Sequence, residues 1–287
     1  MLSGLLLVDK PRGITSMQVV EEIKSKFHVK AGHAGTLDPL ATGLLLVLLG
    51  QATKLSEFFQ KLDKAYIAKA KLGEITDTYD AEGRVVESRE VKVDCQQVKD
   101  ALRAFRGKIM QKPPPYSAKR IGGKRAYELA RMGVDFEIKP VEVEVYRAEL
   151  LACDMPYVEL YYEVSSGTYI RSLVHDLGIA LSCGAHVVEL RRTKVGPFEV
   201  SMAVGYHRLL SLEDIGGLLI SPGDALSFLP KLTLSGPLAQ KVKRGGYVEL
   251  SGQVEETFVR LYEEETFIGV GLIKGRVLKP YRMFVSP

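Results

Sequence analysis

One short acidic side chain stands out in this sequence for the chemistry it could do. Residues 32–43 read GHAGTLDPLATG, with Asp38 followed by Pro39. Proline disfavours helical geometry at the residue before it, so the carboxylate is presented on an extended loop. A carboxylate held this way can serve as nucleophile or general base. The same residues also fit an Asx-turn, in which the side chain accepts from backbone N–H groups two residues on. A second candidate is Ser166-Gly167-Thr168-Tyr169-Ile170-Arg171. A helix starting at Thr168 brings the Tyr169 phenol and the Arg171 guanidinium together in its first turn, with Ile170 toward the core. A guanidinium near Asp38 would keep that carboxylate ionised. Tyr66, after Asp63-Lys64, is either a half-buried strand aromatic or a platform for an extruded base. Lys10-Pro11 and Leu190-Arg191-Arg192 are ambiguous on their own. There is no Walker loop, no GxGxxG after a strand, no HExxH and no GxSxG. The five histidines lack metal-ligand spacing, so no metal is expected.

The elements that must position these groups follow from periodicity. Leu5–Val8 reads as a short buried strand. Ser16 can cap a helix with Val19, Val20, Ile23 and Phe27 on one face. Residues 29–43 are a loop by composition, ahead of a fully apolar strand at Leu44–Leu49. Lys64–Leu72 alternates as a strand. Glu74 to Glu90, interleaved with Arg84 and Arg89, reads as a solvated hairpin. Asp94 and Gln97 form a capping box for a helix burying Val98, Leu102 and Phe105. Residues 107–123 are irregular, then a helix covers Lys124–Met132. Strands follow at Val141–Leu151 and Val158–Val164, and the helix after Thr168 buries Ile170, Leu173, Leu177 and Ala180. Past Pro230 come a helix at Pro237–Lys243 and four strand-like runs, Tyr247–Leu250, Phe258–Tyr262, Phe267–Ile273 and Arg276–Lys279. Strands and helices that alternate irregularly predict an α+β fold with a central mixed sheet flanked by helices, plus a small, mostly β module.

Length and composition set the bounds. The 287 residues allow one large domain plus a small one, here 1–228 and 229–287. Hydrophobic residues at 46% suffice for a core and rule out extensive disorder. Net charge is only +4, but nine basic residues lie between Arg103 and Arg131, with Glu128 alone opposing them. Lys119, Arg120 and Lys124 are among them, on a loop. Such a cluster suits the backbone of a nucleic acid; a solvated helix face is the plainer alternative. Cys95, Cys153 and Cys183 are odd in number and far apart, so no disulfide framework and no cysteine zinc site is expected. The longest apolar run, Leu44–Leu49, is too short to span a bilayer. A reduced, soluble, cytoplasmic protein is expected.

Five blocks in order resemble the TruB family, the tRNA pseudouridine synthases that act on the uridine at position 55 of the T-loop. They are GLLLVDKPRGITS (4–16), GHAGTLDPLATGLL (32–45), DKAYIAKAKLGEITDTYDAEG (63–83), QKPPPYSAKRIGGKRAYELAR (111–131), and SSGTYIRSLVHDLG with GAHVVELRRTKVGPF (165–198). The tail resembles the small PUA module that follows the catalytic domain in this family. Met17 and Gln18 stand where many members carry His-Asp. The resemblance implies a pseudouridine synthase fold, with a thumb-like insertion at about 107–132 that grips RNA. It implies Asp38 as the catalytic aspartate, Arg171 as its partner and Tyr169 as the tyrosine handling the C5 proton. It implies Tyr66 stacking on the flipped uracil, Leu190 walling the pocket, His33 entering the T-loop and Lys10 supporting the catalytic loop. It further implies a tRNA T-stem-loop as substrate, no cofactor, no membrane and no guide RNA or obligate protein partner. Nothing in the sequence suggests more than a monomer, and a role in tRNA folding could coexist with catalysis.

Overall fold

The apolar run near the N-terminus forms strand β1 (Gly4–Lys10) in the computed structural model, which describes residues 2–284 except 118, 133 and 135, and only the backbone at 120, 121, 124, 125, 127 and 131. Helix α1 (Ser16–Phe27) is capped one residue earlier than expected. Thr15 and Gln18 form the capping box, each side chain accepting from the other's N–H. Ser16 is buried instead and bonds the backbone of Leu37. The stretch expected to be all loop holds strand β2 (Ala31–Ala34), antiparallel to β3 (Thr42–Leu49). Its glycines and small residues carry too little side-chain pattern to announce a strand.

Helix α2 (Ser56–Gln60) and strand β4 (Lys64–Leu72) come next, then the hairpin of β5 (Glu74–Thr76) and β6 (Val85–Ser88). Helix α3 (Cys95–Arg103) carries the expected capping box of Asp94 and Gln97 and buries Val98 and Leu102. Residues 107–111, expected to be irregular, form strand β7 (Gly107–Gln111). A two-residue hairpin, β8 (Arg120–Ile121) with β9 (Lys124–Arg125), leads into α4 (Ala126–Arg131). The long hairpin β10 (Val141–Asp154) and β11 (Tyr157–Val164) is followed by α5 (Ile170–Ala180), β12 (Ala185–Val195), β13 (Phe198–Glu199), β14 (Val204–Gly205), α6 (Tyr206–Ser211) and α7 (Pro222–Ala225).

Among the described residues ten strands form one mixed sheet, in the order β14-β1-β3-β12-β4-β11-β10-β7, with β13 beside β12 and β2 beside β3. The β1–β14 and β3–β12 pairs are parallel and the others antiparallel. Apolar cores cover both faces, which is why β1 and β3 read as continuous apolar runs rather than alternating ones.

Strand β15 (Lys231–Leu234), helix α8 (Gly236–Lys243) and the long strands β16 (Val248–Glu263) and β17 (Thr266–Met283) complete the chain. The four expected runs are thus two strands, each continued through register shifts where polar residues face solvent. This small sheet has its own core and rests on α2, where Phe58 meets Phe258 and Tyr281 edge-on and Glu57 pairs with Arg282 at 2.8 Å. A further correction concerns the cysteines. Strand β10 runs on past Leu151, which brings Cys153 to the start of α3, and Cys95 and Cys153 are joined in a disulfide.

The parallel contact between β3 and β12 brings two backbones close together beside the Asp38 loop. Gly43 has φ +98°, and a Cβ there would sit 2.3 Å from the Arg192 carbonyl oxygen. Replacement by alanine therefore strains the backbone and forces two strands apart. Gly43→Ala is expected to destabilise the chain by at least about 2 kcal/mol in urea unfolding; unchanged stability would show that the two strands can separate freely.

Candidate active site

The loop between β2 and β3 is fastened from beneath before any functional group is reached. Lys10, fully buried, donates to the carbonyls of Pro11 (2.9 Å), Ile14 (2.8 Å) and Pro39 (3.4 Å). The Gly13 N–H donates to the same Pro39 carbonyl at 2.8 Å, and the Ser16 hydroxyl both donates to and accepts from Leu37. Burial lowers the Lys10 pKa to about 8, against the pull of Asp38, which favours its charge. Asp38 emerges from this platform with its side chain 38% exposed.

The carboxylate meets Arg171. Helix α5 begins one residue later than Tyr169, which is its N-cap, so Arg171 is the second helical residue. Its side chain is 6% exposed, and Nε lies 2.9 Å from Asp38 Oδ2. Nη1 reaches the Thr78 carbonyl at 3.0 Å and Asp80 Oδ2 at 3.2 Å, and Nη2 donates to the Tyr116 carbonyl at 2.8 Å. The guanidinium is neither solvated nor free to swing. Asp38 is engaged by this cation rather than by its own loop, which sets aside the Asx-turn reading.

Asp80 was not singled out by the sequence, because Glu74 to Glu90 reads as a solvated hairpin. Strands β5 and β6 do form one, but the turn between them folds inward. Tyr79 takes a left-handed backbone (φ +64°), its ring stacks on His175 at 3.8 Å, and Asp80 is buried beside Arg171. Thr78 Oγ1 and the Glu82 N–H donate to Asp80 Oδ1 at 2.7 and 3.0 Å. Gln111 was also missed; its side chain bonds the Tyr169 backbone.

A pocket of about 380 Å³ opens beside the Asp38–Arg171 pair. His33, Asp38, Tyr66, Tyr169, Arg171 and Leu190 all line it, so the structure brings these six together. Tyr66 lies opposite Arg192 on the neighbouring strand, and Leu190 opposite Ala68. Strand alternation puts Leu190 and Arg192 on one face, a signal present in the sequence. Arg192 is buried and donates to the carbonyls of Leu44 and Gly35 at 2.8 and 2.9 Å, tying the mouth of the loop to β12. Lys64 lines the same wall and its pKa falls to about 8, chiefly through burial and also through Arg192. Burial raises the Tyr169 phenol above its ordinary value, and Asp38 pushes the same way. Burial lowers the His33 imidazole, and the Arg192 charge pushes the same way.

Lys10 lies behind the loop rather than in the pocket. Lys119 belongs to the 107–132 insertion, where its carbonyl accepts from the Ala126 N–H at 2.8 Å. In the β8–β9 hairpin the Arg120 backbone pairs with Arg125 and that of Lys124 with Ile121, and the side chains of Arg120 and Lys124 lie outside the described residues. Among the described residues no cluster of His, Cys, Asp and Glu could hold a metal ion, and no helix is long and apolar enough to cross a membrane. The arrangement thus fixes a carboxylate beside a buried guanidinium at the edge of a pocket with an aromatic wall.

Residues 22–170 match the TruB family pseudouridylate synthase N-terminal domain, 171–218 the tRNA pseudouridylate synthase B C-terminal domain, and 230–284 the pseudouridine synthase II TruB C-terminal domain. A protein of Aquifex aeolicus named tRNA pseudouridine synthase B is 45% identical over 99% of this chain and 100% of its own length. One of the same name from Haemophilus influenzae is 43% identical over 99% and 96%. Among solved structures, an H/ACA RNP bound to a substrate RNA containing 2'-deoxyuridine has a chain 25% identical, with TM-score 0.75 over 99% of this chain and 85% of that one. A Cbf5-Nop10-Gar1 complex gives 26% and 0.74 over 99% and 84%.

Two outcomes follow from the charges. Arg171→Leu leaves Asp80 buried without its cation and is expected to cost about 3 kcal/mol in urea unfolding; no loss would mean that Asp80 does not depend on the pair. Asp176, on α5, is raised by burial from 3.8 to about 6. The folded chain then holds that proton more tightly than the unfolded one, so stability falls as pH rises from about 4 to about 6 and is level above. Asp176→Asn should remove that slope and stabilise the chain at pH 7, by up to about 3 kcal/mol for a shift of that size. A slope unchanged in the variant would place its origin in another group.

Proposed function

The chain belongs to the TruB family of pseudouridylate synthases, and from that membership we propose that it converts the uridine at position 55 of the tRNA T-loop to pseudouridine. The observation that carries this reading is Asp38 held 2.9 Å from the buried Arg171, at the edge of a pocket that Tyr66 and Tyr169 line. The reaction breaks the N1–C1′ bond, turns the uracil and rejoins it to C1′ through C5; the proton on C5 is lost and N1 gains one. Substrate and product are isomers, so the step consumes no oxidant, reductant or group donor.

Asp38 acts on the ribose. Its oxygen either adds to C1′ or removes a sugar proton, and both routes need the carboxylate ionised. Arg171 sets a positive charge 2.9 Å from it. Extruding the base from the loop costs a few kcal/mol, which stacking on Tyr66 and backbone contacts must offset. Tyr169, whose phenol is raised by burial, handles the C5 proton in this reading, while Leu190 walls the uracil and His33 enters the T-loop. Lys119, Arg120 and Lys124 grip the RNA backbone from the thumb, and recognition rests on loop shape. Residues 1–228 form the catalytic domain and 229–287 a PUA-like RNA-binding domain. The chain acts as a cytoplasmic monomer without guide RNA, and the same surface serves any role in tRNA folding.

Tritium release from C5-labelled uridine in a tRNA transcript is expected with the purified chain alone. Asp38→Asn should slow it by more than about a thousandfold while tRNA affinity is retained. Full turnover by that variant would remove Asp38 from the reaction, and dependence on an added RNA would overturn the guide-free reading.

A further inference from the structure

We propose that Gln111 is a positioning residue for Tyr169, fixing the active-site tyrosine from the base of the thumb. The inference rests on the reading of the pocket as a uridine site. Gln111 ends β7 and is 0% exposed, although Met110 and Lys112 on either side of it face solvent. Its amide bonds one residue twice: Nε2 donates to the Tyr169 carbonyl at 3.0 Å and Oε1 accepts from the Tyr169 N–H at 2.8 Å. That is the pairing one strand residue offers another, supplied here by a side chain.

Tyr169 needs such a partner. It occupies the N-cap of α5 with an extended backbone and no side-chain cap bond. Tyrosine has no short polar side chain to cap with, and the N–H groups at a helix start lack partners within the helix. Gly167, two residues earlier, has φ +86°, so the approach to the helix does not by itself stiffen the turn. A buried amide is costly unless both its ends are bonded, and here both ends serve Tyr169. The same segment holds the next turn of the site. The Ser172 hydroxyl donates to the Lys112 carbonyl at 2.8 Å, and Arg171 to that of Tyr116 at 2.8 Å. The stretch 111–116, which leads into the basic hairpin, is thus bonded to residues 169, 171 and 172. Movement of the thumb against RNA reaches the phenol and the guanidinium through these bonds.

The test uses single-turnover pseudouridine formation and tRNA affinity for the full chain, Gln111→Met and Gln111→Glu. Gln111→Met keeps the volume and loses both bonds. Its tRNA affinity should stay within about twofold while the chemical step slows about a hundredfold, the scale of a small misplacement of a reacting group. Gln111→Glu keeps the acceptor for the Tyr169 N–H but, when ionised, has no proton for the carbonyl. Position 111 is fully buried, which raises a carboxyl there above its ordinary range, so the Gln111→Glu rate relative to the parent chain should recover from about pH 8 to about pH 5.5 as the carboxyl takes up a proton, while the Gln111→Met ratio stays flat. A Gln111→Met rate equal to the parent's, or a Gln111→Glu ratio that is flat with pH, overturns the proposal. Should Gln111→Met fail to fold, the Gln111→Glu ratio decides. A parent chain that makes no pseudouridine overturns the functional reading and this inference with it; a parent that turns over normally alongside an unimpaired Gln111→Met overturns this inference alone.

Discussion

Arg171 sits inside the protein with a carboxylate on either side, Asp38 toward the pocket and Asp80 behind. Taking a guanidinium out of water is costly, and only near-complete pairing makes it tolerable. Here Nε and both terminal nitrogens have partners, two carboxylates and two backbone carbonyls. The guanidinium therefore cannot wander, and it presents a fixed charge to Asp38. Asp80 alone could neutralise it, so Asp38 can stay partly exposed beside the cation rather than be buried against it. A site that needs a charged, reachable carboxylate is built by burying its counterion rather than the carboxylate itself.

Four separate parts of the chain build the site around that cation. The sheet supplies the frame: β3 approaches β12 so closely that only glycine fits at position 43, and Arg192 from β12 reaches back to the loop carbonyls. The N-terminal segment supplies the platform, through Lys10 and Ser16. The inward turn of the β5–β6 hairpin supplies Asp80, and the stretch after β7 supplies the Tyr116 carbonyl. A polar residue at the inward end of an edge strand, Gln111, fits this plan: its burial makes sense only from what it bonds. The small C-terminal sheet is held elsewhere, through the aromatic contacts of Phe58 and the Glu57–Arg282 pair on α2.

Strongly periodic stretches were legible from residues alone. The capping box at Asp94 and the buried runs of β1, β3 and β4 appear as expected, because one local rule governs each. Stretches where local rules conflict were not. Strand β2 is built from small residues, and β7 carries glutamine where alternation calls for an apolar side chain. The long strands β16 and β17 looked like four because their solvent-facing residues interrupt the pattern. The disulfide escaped notice because Cys95 and Cys153 are 58 residues apart and meet only through the length of β10.

By itself the sequence determined which groups could react: a carboxylate set before proline, a tyrosine and an arginine two apart, and an aromatic on a strand. The order of its blocks also pointed to the family. It could not determine what each charge faces, because an arginine at a helix start reads the same whether solvated or buried. Only the tertiary structure placed Asp80 behind Arg171 and Gln111 against Tyr169. Those contacts join residues about 60 to 90 positions apart, and they exist because the sheet brings distant loops together at one end, where no local pattern records them.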